Sequence, residues 1–223
     1  MNNKDKNEIW ISLSDIMTAL MVIFLFICIS YMNVIKNEKE EIKEVALTWQ
    51  MSQEDIYKSL HNEFKNDLEK WKAVIDKDTL TIRFTEPKVL FKAGEHYLTK
   101  EFENILVNFL PRYQKILNQY NDEIQNIRIE GHTSSDWGYL SKIESYKKNM
   151  KLSQERTQSV LDFWLTNINT DKKWIIKYVE AVGKSFSDPI LNLNNNEDKL
   201  KSRRVEFKVK TKTEQKIMKI LGK

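Results

Sequence analysis

Hydrophobic and polar positions change their rhythm three times along this chain. From Ile9 to Val34 the residues read IWISLSDIMTALMVIFLFICISYMNV, an apolar run long enough for the roughly 20 helical residues that cross a hydrocarbon core. Trp10 and Tyr31 stand near its two ends, where amphipathic aromatics favour the membrane interface. From Asn37 to Lys72 the chain is strongly charged and free of Gly and Pro. Its apolar residues, Ile42, Val45, Trp49, Ile56, Leu60, Phe64, Leu68 and Trp71, recur mostly at steps of three or four, which predicts one face of a long helix. A second copy of the chain would cover that face in a parallel dimeric stalk. Packing of the last turns, around Leu68 and Trp71, on the following domain would also cover part of it, and both can hold.

Beyond Trp71 the period shortens. Ala73-Val74-Ile75, a turn at Asp76-Lys77-Asp78 and Thr79 to Phe84 read as strand, turn and strand. Val89-Leu90-Phe91 reads as a short extended piece. Leu98, Phe102, Ile105, Leu106, Phe109, Tyr113, Ile116 and Leu117 mark a helix with a kink expected at Pro111. Ile127 to Glu130 alternates as a strand, Leu152 to Ile168 follows a helical period, and Tyr178–Val182 and Val205–Val209 supply two more strands. Strands separated by helices of this length predict an α/β sandwich with helices on one face of a mixed sheet. The organisation is therefore 1–8 as a short N-terminal segment, 9–35 as a transmembrane helix, 36–72 as a helical stalk, 73–212 as a folded domain and 213–223 as a helical tail.

Composition narrows the function classes. A chain of 223 residues holds one compact domain with appended helices. A net charge of +4 with both signs mixed throughout gives no electrostatic footprint for nucleic acid. One cysteine, Cys28, excludes an internal disulfide and a multi-cysteine metal site. The apolar run is too long for a secretory signal, and no small-x-small cleavage site follows it. Lys4 and Lys6 before the span are balanced by Lys36, Lys39 and Lys43 after it, so the positive-inside rule does not fix the orientation.

Asp15 lies inside the apolar run, about 7.5 Å along the helix from Trp10. An ionisable group in a span costs at least about 2.5–3.5 kcal/mol and usually faces a protein interior or water. On a helix Ser12, Asp15, Thr18 and Ala19 share one small, polar stripe, with Ile11 and Val22 beside them. A carboxylate among hydroxyls on a close-packing face can take up and release H⁺ or Na⁺. The alternative is that Asp15 merely snorkels to the interface, or that Ser14-Asp15 caps the start of a helix.

The folded part then carries a family signature. Ile129-Glu130-Gly131-His132-Thr133, Asn149, Leu152-Ser153-Gln154-Glu155-Arg156, Gly183, Pro189 and Arg203-Arg204-Val205-Glu206 occur in the order of the OmpA-like peptidoglycan-binding domain, which the stretch Ala73 to Thr211 resembles. Trp10 and Ser14-Asp15-Ile16-Met17-Thr18-Ala19 with the following apolar run are similar to the ion-carrying helix of MotB-type stator subunits. The wording around Asp15, the exit Ile29-Ser30-Tyr31-Met32 and the variant Gly131 to Trp137 resemble the ZorB family of the Zorya anti-phage system.

The resemblance implies an α+β chain: a single N-terminal transmembrane helix, a helical stalk and an OmpA-like α/β sandwich. It implies a homodimer within a ring of a multi-span, MotA- or ZorA-like membrane partner, with the N-terminus cytoplasmic and the C-terminal domain periplasmic and bound to peptidoglycan. No cofactor is expected beyond the transported H⁺ or Na⁺, carried by Asp15 with Ser12, Ser14 and Thr18. Such domains hold the free carboxylate and ammonium of diaminopimelate in the wall peptide. Arg156 matches the family arginine, at the start of the second helix, where backbone N–H groups are expected also to favour an anion. Where the family reads Gly-His-Thr-Asp this sequence has Ser134, so Asp136 is expected to serve as the acid. Thr133 and Asn149 are expected to shape the pocket. Strand alternation lets only one of Arg203 and Arg204 reach it, and Arg204 is taken as that residue.

Other residues invite sharper readings. His132 is expected to be structural, since His61 and His96 are far from it in sequence and no Cys or acid falls at ligand spacing around it, and no metal site is expected. No nucleophile, base and orienting group occur together, so an enzyme is not expected. A flagellar stator subunit and a static membrane-to-wall anchor are the alternatives to a defence motor.

Overall fold

The computed structural model describes residues 3–212, with side chains from residue 13 onward. The tail expected at 213–223 and the side chain of Ser12 lie outside the described residues. The elements run α1 (Asn3–Phe64), β1 (Ala73–Asp76), β2 (Thr81–Phe84), α2 (Pro87–Leu90), α3 (Lys100–Leu117), β3 (Ile124–His132), α4 (Lys142–Asn167), α5 (Lys172–Tyr178), β4 (Val179–Ser185), α6 (Lys199–Ser202) and β5 (Arg204–Thr211). No Gly or Pro occurs within α1, so nothing in its sequence breaks it. The chain divides at Thr48 and Trp49 into an N-terminal unit and a compact unit that extends to Lys212.

In the N-terminal unit the apolar residues of α1 are uncovered. Ile16, Met17, Leu20, Phe24, Phe26 and Ile27 each leave more than half of their surface exposed. A helix this apolar and this bare is a candidate membrane span by length and composition.

The compact unit is built on one mixed sheet of order β1-β2-β5-β3-β4. The β1/β2, β2/β5 and β5/β3 pairs are antiparallel, and β3/β4 is parallel. The parallel pair needs a crossover, which α4 and α5 provide. Glycine lets α4 lie close on that pair: a Cβ on Gly131 would fall 2.7 Å from the Ser153 carbonyl oxygen, and one on Gly183 would fall 2.6 Å from the Gln154 amide nitrogen. The core is aromatic. Phe109 sits 5.0 Å from Phe207, 5.2 Å from Phe64 and 5.4 Å from Phe84, ring centre to ring centre.

The last turns of α1 belong to this core. Ile56, Leu60 and Phe64 are fully buried against it, and Trp71 nearly so. Gln53 donates to the carbonyls of Lys77 and Asp78, Glu54 pairs with Lys77 at 2.7 Å, and the Trp49 indole donates to the Thr211 hydroxyl at 3.1 Å. Arg112 crosses from α3 to Glu63 and Asp67 at 2.6 and 2.8 Å and lies over the Phe64 ring. Half of the apolar face read from the stalk is thus interior to the protomer. Ile42 and Val45, further up the helix, are only partly buried.

Several elements differ from the sequence reading. Val89 and Leu90 are helical rather than extended, because Pro87 presets the first turn of α2; only Phe91 is extended, bridging to Leu98. Helix α4 begins at Lys142, ten residues before Leu152, closed by a capping box in which Ser141 accepts from the Glu144 amide and Glu144 reaches back to the Ser141 amide. Its early buried face holds Ser145 and Asn149, and polar residues there hide the helical period. Helix α5, started by the Asp171 cap, has no counterpart in the sequence reading.

Phe64→Ala is expected to destabilise the compact unit by about 3–5 kcal/mol. Val45→Ala is expected to change it by less than about 0.5 kcal/mol, the usual range for a substitution outside a core. Urea unfolding of the full chain in detergent, followed by near-UV circular dichroism, measures both.

Candidate functional site

Helix α4, the loop 133–140 that precedes it, the loop at Ala93 and Gly94, and Arg203 enclose an open groove of about 700 Å³. Arg156 is its most constrained member. It projects from α4 about four turns past the helix start, so the expected help from helix N-terminal amides is absent. Only 9% of its surface is exposed. Its Nε donates to the Glu95 carbonyl at 2.9 Å, Nη2 reaches the Lys92 carbonyl at 3.3 Å, and the guanidinium lies 4.8 Å from the centre of the Phe91 ring. Among the described residues no carboxylate pairs with it. Burial, reinforced by the positive charge of Arg203, pushes its pKa down to about 10. Arg156 is therefore a charged, largely dehydrated group whose surroundings favour an incoming anion.

The groove brings together five of the residues expected to bind wall peptide: Thr133, Ser134, Asp136, Asn149 and Arg156. Thr133 and Asn149 are buried, and the Thr133 hydroxyl and the Asn149 amide nitrogen have no hydrogen-bond partner among the described residues. Buried polar groups are almost always partnered, so two orphans on one wall mark a place for a ligand or water. Ser134 is 4% exposed. Asp136, by contrast, is exposed, and its carboxylate lies 3.2 Å from Lys199 Nζ. The loop that carries it is fastened by Glu197, which accepts from the amide and hydroxyl of Ser135.

Arg204 is a correction. It is 3% exposed and committed elsewhere, with Nε 2.6 Å from Glu206 and Nη2 3.1 Å from Asp188; it borders a neighbouring cavity of about 200 Å³ rather than the groove. Its sequence neighbour Arg203, which ends α6 just before β5, takes the groove position. Alternation between sequence neighbours allows either choice, and the buried acid that claims Arg204 is legible only as the Glu two residues on.

His132 sits in the same charge network, on the sheet face away from α4. Its Nε2 is 3.8 Å from Glu130 and 3.6 Å from Glu206, and neither ring nitrogen has a hydrogen-bond partner. These donor atoms lie within 4.8 Å of one another, but Glu206 already holds Arg83 at 2.5 Å and Arg204 at 2.6 Å. Burial would raise the Glu206 carboxyl; the hydrogen bond and charge of Arg204, with His132 and Arg83, hold it below its ordinary value instead. The sequence reading overlooks these acids as neighbours of His132. Glu130 and His132 are two apart on a strand and so share a face, which is the available signal.

In the N-terminal unit Asp15 lies within α1, twelve residues after its first residue Asn3, so Ser14-Asp15 is not a helix cap. Asp15 is exposed. The Thr18 hydroxyl donates to the Ser14 carbonyl at 2.8 Å.

Zorya protein ZorB from Escherichia coli strain Crooks is 47% identical over 218 residues, spanning 96% of this chain and 93% of that relative. This chain belongs to the ZorB family. The OmpA family model matches residues 90–203, so in ZorB terms the groove, from Ala93 to Arg203, falls within the OmpA part. A MotB-like protein from Desulfovibrio vulgaris superposes with a TM-score of 0.52 at 23% identity, over 78% of this chain and 98% of that one, and shares the fold. The cell wall anchor of the T6SS from Pseudomonas aeruginosa is 20% identical over 68% of this chain and 96% of that one, with a TM-score of 0.48.

The two arginines of this ZorB-family chain are expected to separate by stability. Arg204→Gln takes from the buried Glu206 one of its two arginines, leaving Arg83, and is expected to cost about 1–3 kcal/mol, whereas Arg203→Gln is expected to cost less than about 0.5 kcal/mol. The sign with pH follows from the depressed Glu206 carboxyl. Its stabilisation is present above the ordinary carboxylate range and is lost as pH falls through the folded value, so the Arg204→Gln deficit should shrink under acid. Denaturant midpoints between pH 3 and 7 check this.

Proposed function

We propose that this chain is the wall-anchored stator subunit of an ion-driven inner-membrane motor in Zorya-type defence against phage. The observation that carries this reading is the pairing, in one ZorB-family chain, of an acid-bearing apolar helix with an OmpA-family domain whose groove holds an uncompensated arginine. An anchor needs the groove and a motor needs the acid, and neither alone would require the other.

On this reading residues 9–35 span the inner membrane, with the N-terminus cytoplasmic and the domain periplasmic. Two copies dimerise through the span and the upper stalk, inside a ring formed by a multi-span partner. Asp15 binds H⁺ or Na⁺ with Ser12, Ser14 and Thr18 around it, and the membrane potential drives the ion at about 2.3 kcal/mol per charge per 100 mV. Neutralising the carboxylate weakens its hold on partner hydroxyls or bases, which lets the ring settle in a new rotational position. Peptidoglycan held in the groove keeps this subunit still. Arg156 takes a peptide carboxylate through its planar fork, and Thr133, Ser134 and Asn149 shape the seat. Asp136 is less well placed for an ammonium than the family acid, because Lys199 already answers its charge.

Phage plating on cells carrying the intact gene neighbourhood tests the reading. Asp15→Asn and Arg156→Ala, at membrane levels matched to wild type, are each expected to abolish protection. Protection that survives Asp15→Asn would leave a static anchor, and loss of swimming in place of phage sensitivity would make this a flagellar part.

A further inference from the structure

Arg203 is the second cation of the groove, and no acid answers it. It is half-buried, and its Nε donates to the Lys199 carbonyl at 2.9 Å. Among the described residues neither Arg203 nor Arg156 has a carboxylate within ion-pairing distance. The two guanidiniums sense each other, since the charge of Arg203 adds to burial in depressing Arg156. Of the other polar side chains on the wall, Thr133, Ser134 and Asn149 are neutral, the last with a buried amide donor that has no partner among the described residues. Asp136 is the one acid on the wall. It is exposed and faces Lys199 at 3.2 Å.

This balance of charge does not suit a simple zwitterion. A ligand end carrying one carboxylate and one ammonium would satisfy one guanidinium, leave the other unanswered and bring its own cation toward both. A ligand with two carboxylates would answer each guanidinium and relieve their repulsion. In a wall peptide two carboxylates lie on one residue when the stem ends on the diamino acid itself, because the chain terminus then adds a second carboxylate to the side-chain one; the free carboxylate of the γ-linked Glu belongs to the preceding residue.

We propose that Arg203 is a specificity-determining residue, which with Arg156 makes the groove a two-carboxylate site selecting stem peptides that end on the diamino acid. The proposal rests on the wall-binding reading and adds to it which peptide end is taken and by which second residue. Arg156 holds one carboxylate against the Phe91 ring, and Arg203 holds the terminal one across the groove. Ser134, uncharged where an acid would draw the ammonium, leaves that group turned to solvent.

The experiment measures binding of an N-terminally labelled Ala-γ-Glu-diaminopimelate tripeptide to the full chain in detergent, by fluorescence anisotropy. Three forms are compared: free, amidated at the terminal carboxylate, and acetylated at the side-chain amine. For wild type, amidation is expected to weaken binding about tenfold, the usual worth of one charge-assisted contact, and acetylation less than about threefold. Arg203→Gln is expected to bind the free form about tenfold more weakly and to be indifferent to amidation, while Arg203→Lys keeps part of the preference. Acetylation costing as much as amidation would overturn the proposal, because an acid would then be gripping the ammonium. An undiminished amidation penalty in Arg203→Gln would overturn it as well, while leaving wall binding intact. If wild type takes no form of the peptide, the wall-binding reading falls and the role of Arg203 falls with it.

Discussion

A buried guanidinium without a counter-charge is the constraint on which the folded unit turns. Removing a charge from water costs several kcal/mol unless something replaces the water, and Arg156 receives only two backbone carbonyls and the face of Phe91 in return. That arrangement needs scaffolding. The capping box at Ser141 fixes the start of α4, and the bare backbones at Gly131 and Gly183 let that helix settle on the sheet at the depth that buries Arg156. The loop carrying Thr133 to Asp136 is pinned to Glu197 and Lys199 rather than to the arginine. The groove thus retains net positive character that the fold could have cancelled and did not.

Two arginines adjacent in sequence show how the same fold treats charge in opposite ways. Arg204 enters the sheet and is matched by Glu206 and Asp188, with Arg83 and His132 completing a closed network. Arg203 stays outside it and faces the groove. The first belongs to stability and the second to recognition. The aromatic core beneath them does similar double service: Phe64 from the end of α1 packs on Phe109, which packs on Phe207 of the central strand. The final turns of α1 are therefore part of the domain, not a tether leading up to it.

Much of this is legible from residue patterns. The apolar run with its single acid, the five strands and the helices at Phe102 and Val160 follow from periodicity alone, because each buries a regular apolar face. What escapes is polar burial. The first turns of α4 bury Ser145 and Asn149, so their period carries no hydrophobic signal. The destination of the helix at Ile56, Leu60 and Phe64 is ambiguous for a related reason: an apolar stripe states that something covers it, not what. Of the groove, Thr133, Ser134, Asp136, Asn149 and Arg156 follow from family resemblance, while the exchange of Arg203 for Arg204 depends on which guanidinium finds a buried carboxylate.

The central claim is that Arg156 holds the cell wall, and its most direct test is co-sedimentation of the full chain in detergent with purified peptidoglycan sacculi. Wild type should pellet with the sacculi, and Arg156→Lys, which keeps the charge but loses the fork, should largely remain in solution while retaining its unfolding midpoint. Equal pelleting of the two proteins, or wild type left wholly in the supernatant, would contradict it.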